Sequence, residues 1–223
     1  MKAVSVDSVL MLGFVLGLRH AIEADHLAAI STIVTERRSL LSSLFVGAFW
    51  GVGHTLALLV AGVGVLLLRY ELTDRMAHGL ELCVGIMLVI LGAKVLGTLV
   101  RHGAGHRHVH ASGAPHSQSD AWIAARPLLV GMIHGLAGSA PLLLLTLTVM
   151  SSPLAAFSYI AVFGVGSILG MSVMSVLVGL PAQVTVEHFA RTNLALRGLS
   201  GLFSVALGLV IVYQNGALNL LSA

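Results

Sequence analysis

Cysteine is nearly absent from this chain. The single Cys83 excludes an intramolecular disulfide and any metal site built from several thiolates. Charge is scarce too: Asp, Glu, Lys and Arg make up 9% of the 223 residues, against about 25% in a soluble domain. With 57% hydrophobic residues and a mean hydropathy of +0.98, that scarcity excludes a water-soluble core and marks an integral membrane protein. No polar stretch is long enough to fold as a separate soluble domain. The net charge of +3 sits in short loops, which points to membrane topology rather than to nucleic acid as a partner. No cleavable signal peptide is expected, because Lys2 is followed by Asp7 and no small-residue cleavage site stands out.

Apolar runs measured against the roughly 20 residues that span a bilayer predict six helices, at 8–33, 41–68, 79–100, 127–150, 153–180 and 196–215. The breaks are Thr35-Glu-Arg-Arg-Ser39, Arg69 to Arg75, the His-rich segment 101–126, Ser151-Ser-Pro153, and Pro181 to Arg197. Arg37, Arg38, Arg101, Arg107, Arg126, Arg191 and Arg197 fall in the loops of one side, and only Lys2, Arg69 and Arg75 on the other. The cationic side faces the cytoplasm, so both termini are expected outside, in an inner (plasma) membrane.

The two halves of the chain echo one another. Gly17-Leu-Arg-His20 pairs with Gly131-Met-Ile-His134, Gly51-Val-Gly-His54 with Gly164-Val-Gly-Ser167, and Gly85 and Gly92 with Gly201 and Gly208. The offset stays nearly constant at 113 to 116 residues. Each match alone is weak among 25 glycines; three in order are not. Three helices per half is an odd number, so the halves run in opposite senses, as in transporters with a site near the midplane between inverted repeats. The expected organisation is an all-α integral membrane protein of six transmembrane helices: a first repeat at 1–100, a His-rich cytoplasmic loop at 101–126, and a second repeat at 127–223.

The charge that is present is concentrated. Gly17-Leu-Arg-His20-Ala-Ile-Glu23-Ala-Asp25-His26 places five ionisable side chains inside an apolar run. Each charge near a bilayer centre costs roughly 2.5–3.5 kcal/mol on insertion scales, so such a cluster implies a protein interior and a bound partner. Two imidazoles and two carboxylates suit a divalent transition metal. At about 100° per residue, His20, Glu23 and His26 share one helix face, whereas Asp25 falls about 100° from His26. Either the helix is distorted there, or Asp25 orients an imidazole from another helix; no Gly or Pro between 20 and 26 supports the distortion. Plainer readings stand beside these. Glu23 is as well placed to pair with Arg19 as to bind metal, and His54 and His134, each beside a glycine, would serve equally to satisfy a buried hydrogen-bond network. Ser139 suits close helix packing.

A second concentration is His102, His106, His108, His110 and His116, set among Gly, Ser and Ala. It reads as a flexible loop that chelates metal transiently, the alternative being a solvated linker.

The motif Gly-Leu-Arg-His20-Ala-x-Glu-Ala-Asp25-His26 resembles the His-x4-Asp-His motif of the nickel/cobalt transporter family, and Gly53-His54-Thr55 resembles that family's Gly-His-Ser/Thr element. Gly131-Met-Ile-His134-Gly-Leu-Ala-Gly-Ser139-Ala is similar to the branch of urease-accessory membrane proteins. The resemblance implies that His20, Asp25 and His26 recognise metal. It departs from the family in placing the motif in the first helix rather than the second, and in having His134 and Ser139 where acidic motifs are usual. The expected function is transport of Ni²⁺ or Co²⁺ by alternating access, with His20, Glu23, Asp25, His26, His54 and His134 as metal ligands. The ion is cargo rather than cofactor, and no enzymatic activity is expected. Expected partners are the metal ion, the lipid bilayer, and metallochaperone or urease-maturation proteins. The alternatives are a non-transporting protein that delivers metal to urease, and an intramembrane hydrolase built on Ser139 and a histidine.

Overall fold

The computed structural model describes residues 6–35, 37, 39–67, 73–103, 120–138 and 152–221. Those residues form seven helices: α1 (Val6–His20), α2 (Ala24–Val34), α3 (Leu40–Leu67), α4 (Asp74–Gly103), α5 (Asp120–Gly138), α6 (Pro153–His188) and α7 (Ala190–Leu221). Four of them, over Leu40–Gly64, Asp74–Arg101, Pro153–Thr185 and Arg191–Gly216, are long and apolar enough to cross a membrane. At about 1.5 Å per residue each outreaches the roughly 30 Å of hydrocarbon. The protein is a multi-pass, all-helical membrane protein.

The expected first helix at 8–33 is two helices. α1 ends at His20, α2 begins at Ala24, and Glu23 between them is extended at φ −66°, ψ 149°. A single turn closes α1, with Ile22 N donating to Arg19 O and Glu23 N to His20 O. No glycine or proline makes this break; polar side chains hold it. The His20–Glu23 pair spans it at 3.0 Å, and Asp25 Oδ1 accepts the His26 N–H at 2.9 Å at the mouth of α2. A continuous helix would have turned Asp25 away from the histidines, leaving a carboxylate unpartnered in an apolar interior.

The second departure is at Pro181, expected to end a helix at 180. α6 continues through it to His188. Beyond the proline, Thr185 Oγ1 donates to Pro181 O at 2.7 Å and Asn193 Nδ2 to Ala182 O at 2.8 Å. What proline removes is the N–H that would bond the Leu177 carbonyl, a single local loss that a membrane helix tolerates; the Thr185 and Asn193 bonds fall on carbonyls past it. The expected gap from 181 to 197 thereby shrinks to the single residue Phe189, and the last helix starts at Ala190 rather than 196. The start at Pro153 is as expected: Ser152 caps α6, accepting from Ala155 N at 3.2 Å, with proline at the helix start. The fourth expected helix, 127–150, starts earlier, at Asp120, and is described to Gly138; its remainder, with Ser139, lies outside the described residues, as do loop residues 104–119.

Helix packing is organised by glycines, in matched pairs of contacts. A Cβ on Gly17 would strike the Phe163 carbonyl oxygen, and one on Gly131 the Trp50 carbonyl oxygen. Likewise Gly166 packs on the Phe14 carbonyl and Gly53 on that of Leu128, while Gly51 packs on Ile168 and Gly164 on Thr55. Between α4 and α7, added Cβ atoms on Gly208 and Gly92 would lie 2.6 Å from Gly85 O and 2.5 Å from Gly201 O. Shifting each pair by the repeat offset turns one contact into the other with the halves exchanged. Small residues let membrane helices approach to backbone contact, and this approach brings α1, α3, α5 and α6 around the break.

Candidate metal centre

The centre lies where the chain stops being helical. α1 delivers His20 from its last residue, the extended link delivers Glu23, and the first turn of α2 delivers Asp25 and His26. His54 comes from the middle of α3 and His134 from α5. Glycine neighbours carry the last two inward: Gly53 presses on the α5 backbone, and a Cβ on Gly135 would sit 2.5 Å from His54 O.

All four imidazoles are buried, His20 at 2% exposure and His26, His54 and His134 at 0%. The His20 and His54 Nε2 atoms are 3.2 Å apart, within hydrogen-bond distance. His20 Nδ1 meets Glu23 Oε2 at 3.0 Å. Asp25 divides its carboxylate: Oδ1 lies 3.1 Å from His26 Nδ1 and Oδ2 lies 2.9 Å from His134 Nε2. The rings crowd together, with centroids 4.4 Å apart for His20–His26 and 4.1 Å for His26–His134. Ligand atoms of His20, His26 and His54 lie within 4.8 Å of one another, and so do those of Asp25, His26 and His134.

The two explanations left open for Asp25 are therefore both realised. The helix is broken, and the carboxylate orients imidazoles, one of them from another helix. Glu23 turns to His20 rather than to Arg19, which is exposed and makes no ion pair among the described residues. The six expected site residues converge in one place. His102, His106, His108, His110 and His116 lie in a stretch whose side chains are outside the described residues. Cys83 is exposed and belongs to neither ligand group.

Two aromatic walls add to the cluster. Trp50 is fully buried and nearly parallel to the His26 ring, at 6.0 Å and 15°, and meets His134 edge-on at 5.8 Å. Phe163 stands 5.6 Å from the His20 ring. Trp50 lies one helical turn before His54, a spacing that signals a shared face; Phe163, directly before Gly164-Val-Gly-Ser167, is its counterpart in the repeat register.

Buried imidazole and carboxylate donors without thiolate suit borderline divalent ions such as Ni²⁺, Co²⁺ and Zn²⁺. The Asp25 carboxylate would offset part of the charge of a dication that had shed its water in a medium of low dielectric.

The chain is 35% identical, over 97% of its length and 95% of the relative's, to the urease accessory protein UreH of Bacillus sp. (strain TB-90). Two Arabidopsis thaliana proteins, the chloroplast proteins FOR GROWTH AND FERTILITY 2 and 1, are 27% and 28% identical to it. The chain covers 55% and 57% of their lengths, so it spans little more than half of each. No family model and no solved structure matches the chain.

Proposed function

We propose that this chain, which belongs to the UreH family of urease accessory proteins, carries Ni²⁺, and Co²⁺ as a second substrate, across the inner membrane. The observation that carries the reading is the convergence of four buried imidazoles and one carboxylate at a broken helix inside a membrane protein. Irregular backbone at membrane depth occurs where it lines a protein-enclosed cavity, and in transporters it marks the ion site. The matched glycine contacts support two inverted three-helix repeats around that site, since each contact is exchanged with its partner by the repeat offset.

In this reading the ion exchanges most of its water for His20, His26, His54 and His134, while Asp25 and Glu23 supply negative charge and hold the rings. Rocking of one repeat against the other opens the site to each side in turn. No catalytic step belongs to this reading; His134, the histidine nearest in sequence to Ser139, is paired with Asp25.

The relative's name favours a second reading, in which the protein hands metal to urease-maturation partners without moving it across the bilayer. Purified protein in liposomes separates the two. Time-dependent accumulation of radioactive nickel in the lumen, absent with His26→Ala, is the expected result. Stoichiometric binding without accumulation would overturn transport in favour of delivery.

A further inference from the structure

The ligands do not form one ring. They fall into two groups of three, His20, His26 and His54 in one and Asp25, His26 and His134 in the other, with only His26 in both. Asp25 Oδ1 stands at His26 Nδ1, while His26 Nε2 is buried without a hydrogen-bond partner among the described residues. The two nitrogens of an imidazole point outward from different edges of one ring, so a single ion cannot take both.

Building on the reading that the cargo is a divalent transition metal, we propose that the centre offers the ion two adjacent positions. One is made by His20, His54 and His26 Nε2, the other by Asp25, His134 and His26 Nδ1, and the ion crosses from one edge of the His26 ring to the other. As the ion moves to the second position, the proton between His26 Nδ1 and Asp25 gives way to it and the ring takes a proton at Nε2, the edge that the ion has left, so the imidazole stays neutral. Three ligands at each position hold the ion less firmly than a closed shell would, and multiple weaker sites are what conduction requires. His26 does not have to turn over, and its neighbours oppose turning: Trp50 stacks on it, and the rings of His20, His54 and His134 stand 4.4, 5.5 and 4.1 Å away. Each position also borders a carboxylate with a partly exposed side chain, Glu23 at 45% through His20 and Asp25 at 22%. One ion is present at a time, because two dications on one ring would repel strongly.

The test uses the full-length detergent-solubilised chain with His102, His106, His108, His110 and His116 replaced by Ser, and Ni²⁺ as the probe. Calorimetry gives stoichiometry and affinity, and X-ray absorption gives the number of imidazoles around the metal. The parent chain should bind one Ni²⁺. The doubles His20→Ala/His54→Ala and Asp25→Asn/His134→Ala should each still bind one, about tenfold to a hundredfold more weakly because the side chains lost from one position also hold the His26 ring for the other, with the imidazole count following the surviving group. His26→Ala, which damages both groups, should show no saturable binding. Where an Ala variant is lost from the membrane, Gln, close to His in size and poor as a ligand, replaces it.

Loss of binding in either double would mean one site needing all its ligands, and would overturn the proposal. So would two Ni²⁺ per parent chain, or wild-type affinity in His26→Ala. A parent chain that binds no Ni²⁺ would instead sink the metal reading from which the two positions follow. Binding as expected with no flux in liposomes would sink transport alone.

Discussion

Asp25 carries more of the centre than its single charge suggests, because each of its oxygens serves a different histidine. Asn at this position would keep the shape, lose the charge, and turn one of those acceptors into a donor. Asp25→Asn should therefore abolish nickel uptake as fully as Asp25→Ala, His20→Ala or His26→Ala, with the protein still present in membranes by immunoblot. Wild-type uptake by the Asn variant would show that the carboxylate's charge is not used. His20, Asp25 and His26 were legible in the sequence because charge is so expensive in an apolar run, and His54 and His134 because the repeat register aligned their segments. Trp50 was legible only in part: its spacing puts it on the His54 face, but an aromatic at helical spacing in an apolar span is ordinary, and only the fold places it against His26. That placement has an optical consequence. In a Trp122→Phe chain Trp50 is the sole tryptophan, and Ni²⁺ or Co²⁺ bound about one ring away should quench its emission saturably. Unchanged emission at saturating metal would put the ion elsewhere.

At the scale of helices, the sequence misleads most where the centre forms. Residues 8–33 read as one continuous span, because nothing between 20 and 26 is a helix breaker; the clue was Asp25, about 100° off the histidine face of a regular helix. The break is held by the local pairs His20–Glu23 and Asp25–His26 and by His134 from α5, and only the last lies beyond any local pattern. Pro181 errs the other way: it removes one backbone bond without ending the helix, which runs on to His188. Glycine spacing was informative without being explicit: the repeats of Gly17 in Gly131 and of Gly51 in Gly164 preserve helix contacts. Gly131 and Gly64 make a sharp comparison. A Cβ on Gly131 meets the Trp50 backbone, whereas one on Gly64 meets nothing within 4 Å. Gly131→Ala should cost about 1–3 kcal/mol through overpacking and displace His134 from Asp25, lowering both thermal stability and nickel affinity. Gly64→Ala should be neutral, or stabilising by up to about 1 kcal/mol through helix propensity. Equal melting temperatures for the two variants would contradict the backbone contact at Gly131.

For the molecule as a whole, the membrane class was legible from the rarity of charge alone, and the helices that are long enough to span bear it out. Orientation rests on the count of cationic residues in the loops. Cysteine labelling of intact cells in a Cys83→Ala background should leave Ser117→Cys protected and label Ser222→Cys; the opposite pattern would invert the molecule. That orientation sets the role of the His-rich segment, which would meet metal on the cytoplasmic side of the centre. Five histidines among small residues are expected to bind metal weakly and without fixed geometry, since ordering such a sequence around an ion costs conformational entropy. The buried ligands, by contrast, are held in place by Asp25, Glu23 and the aromatic walls before any ion arrives. On the proposed reading selectivity belongs to such a preorganised set, and the loop affects only how much metal waits beside it. Deleting 102–116 should therefore change the apparent affinity or the rate of uptake, and leave the order of preference among Ni²⁺, Co²⁺ and Zn²⁺ in competition assays as it was. A reversed order would locate selectivity in the loop and leave the buried centre as a passage that any small dication can use.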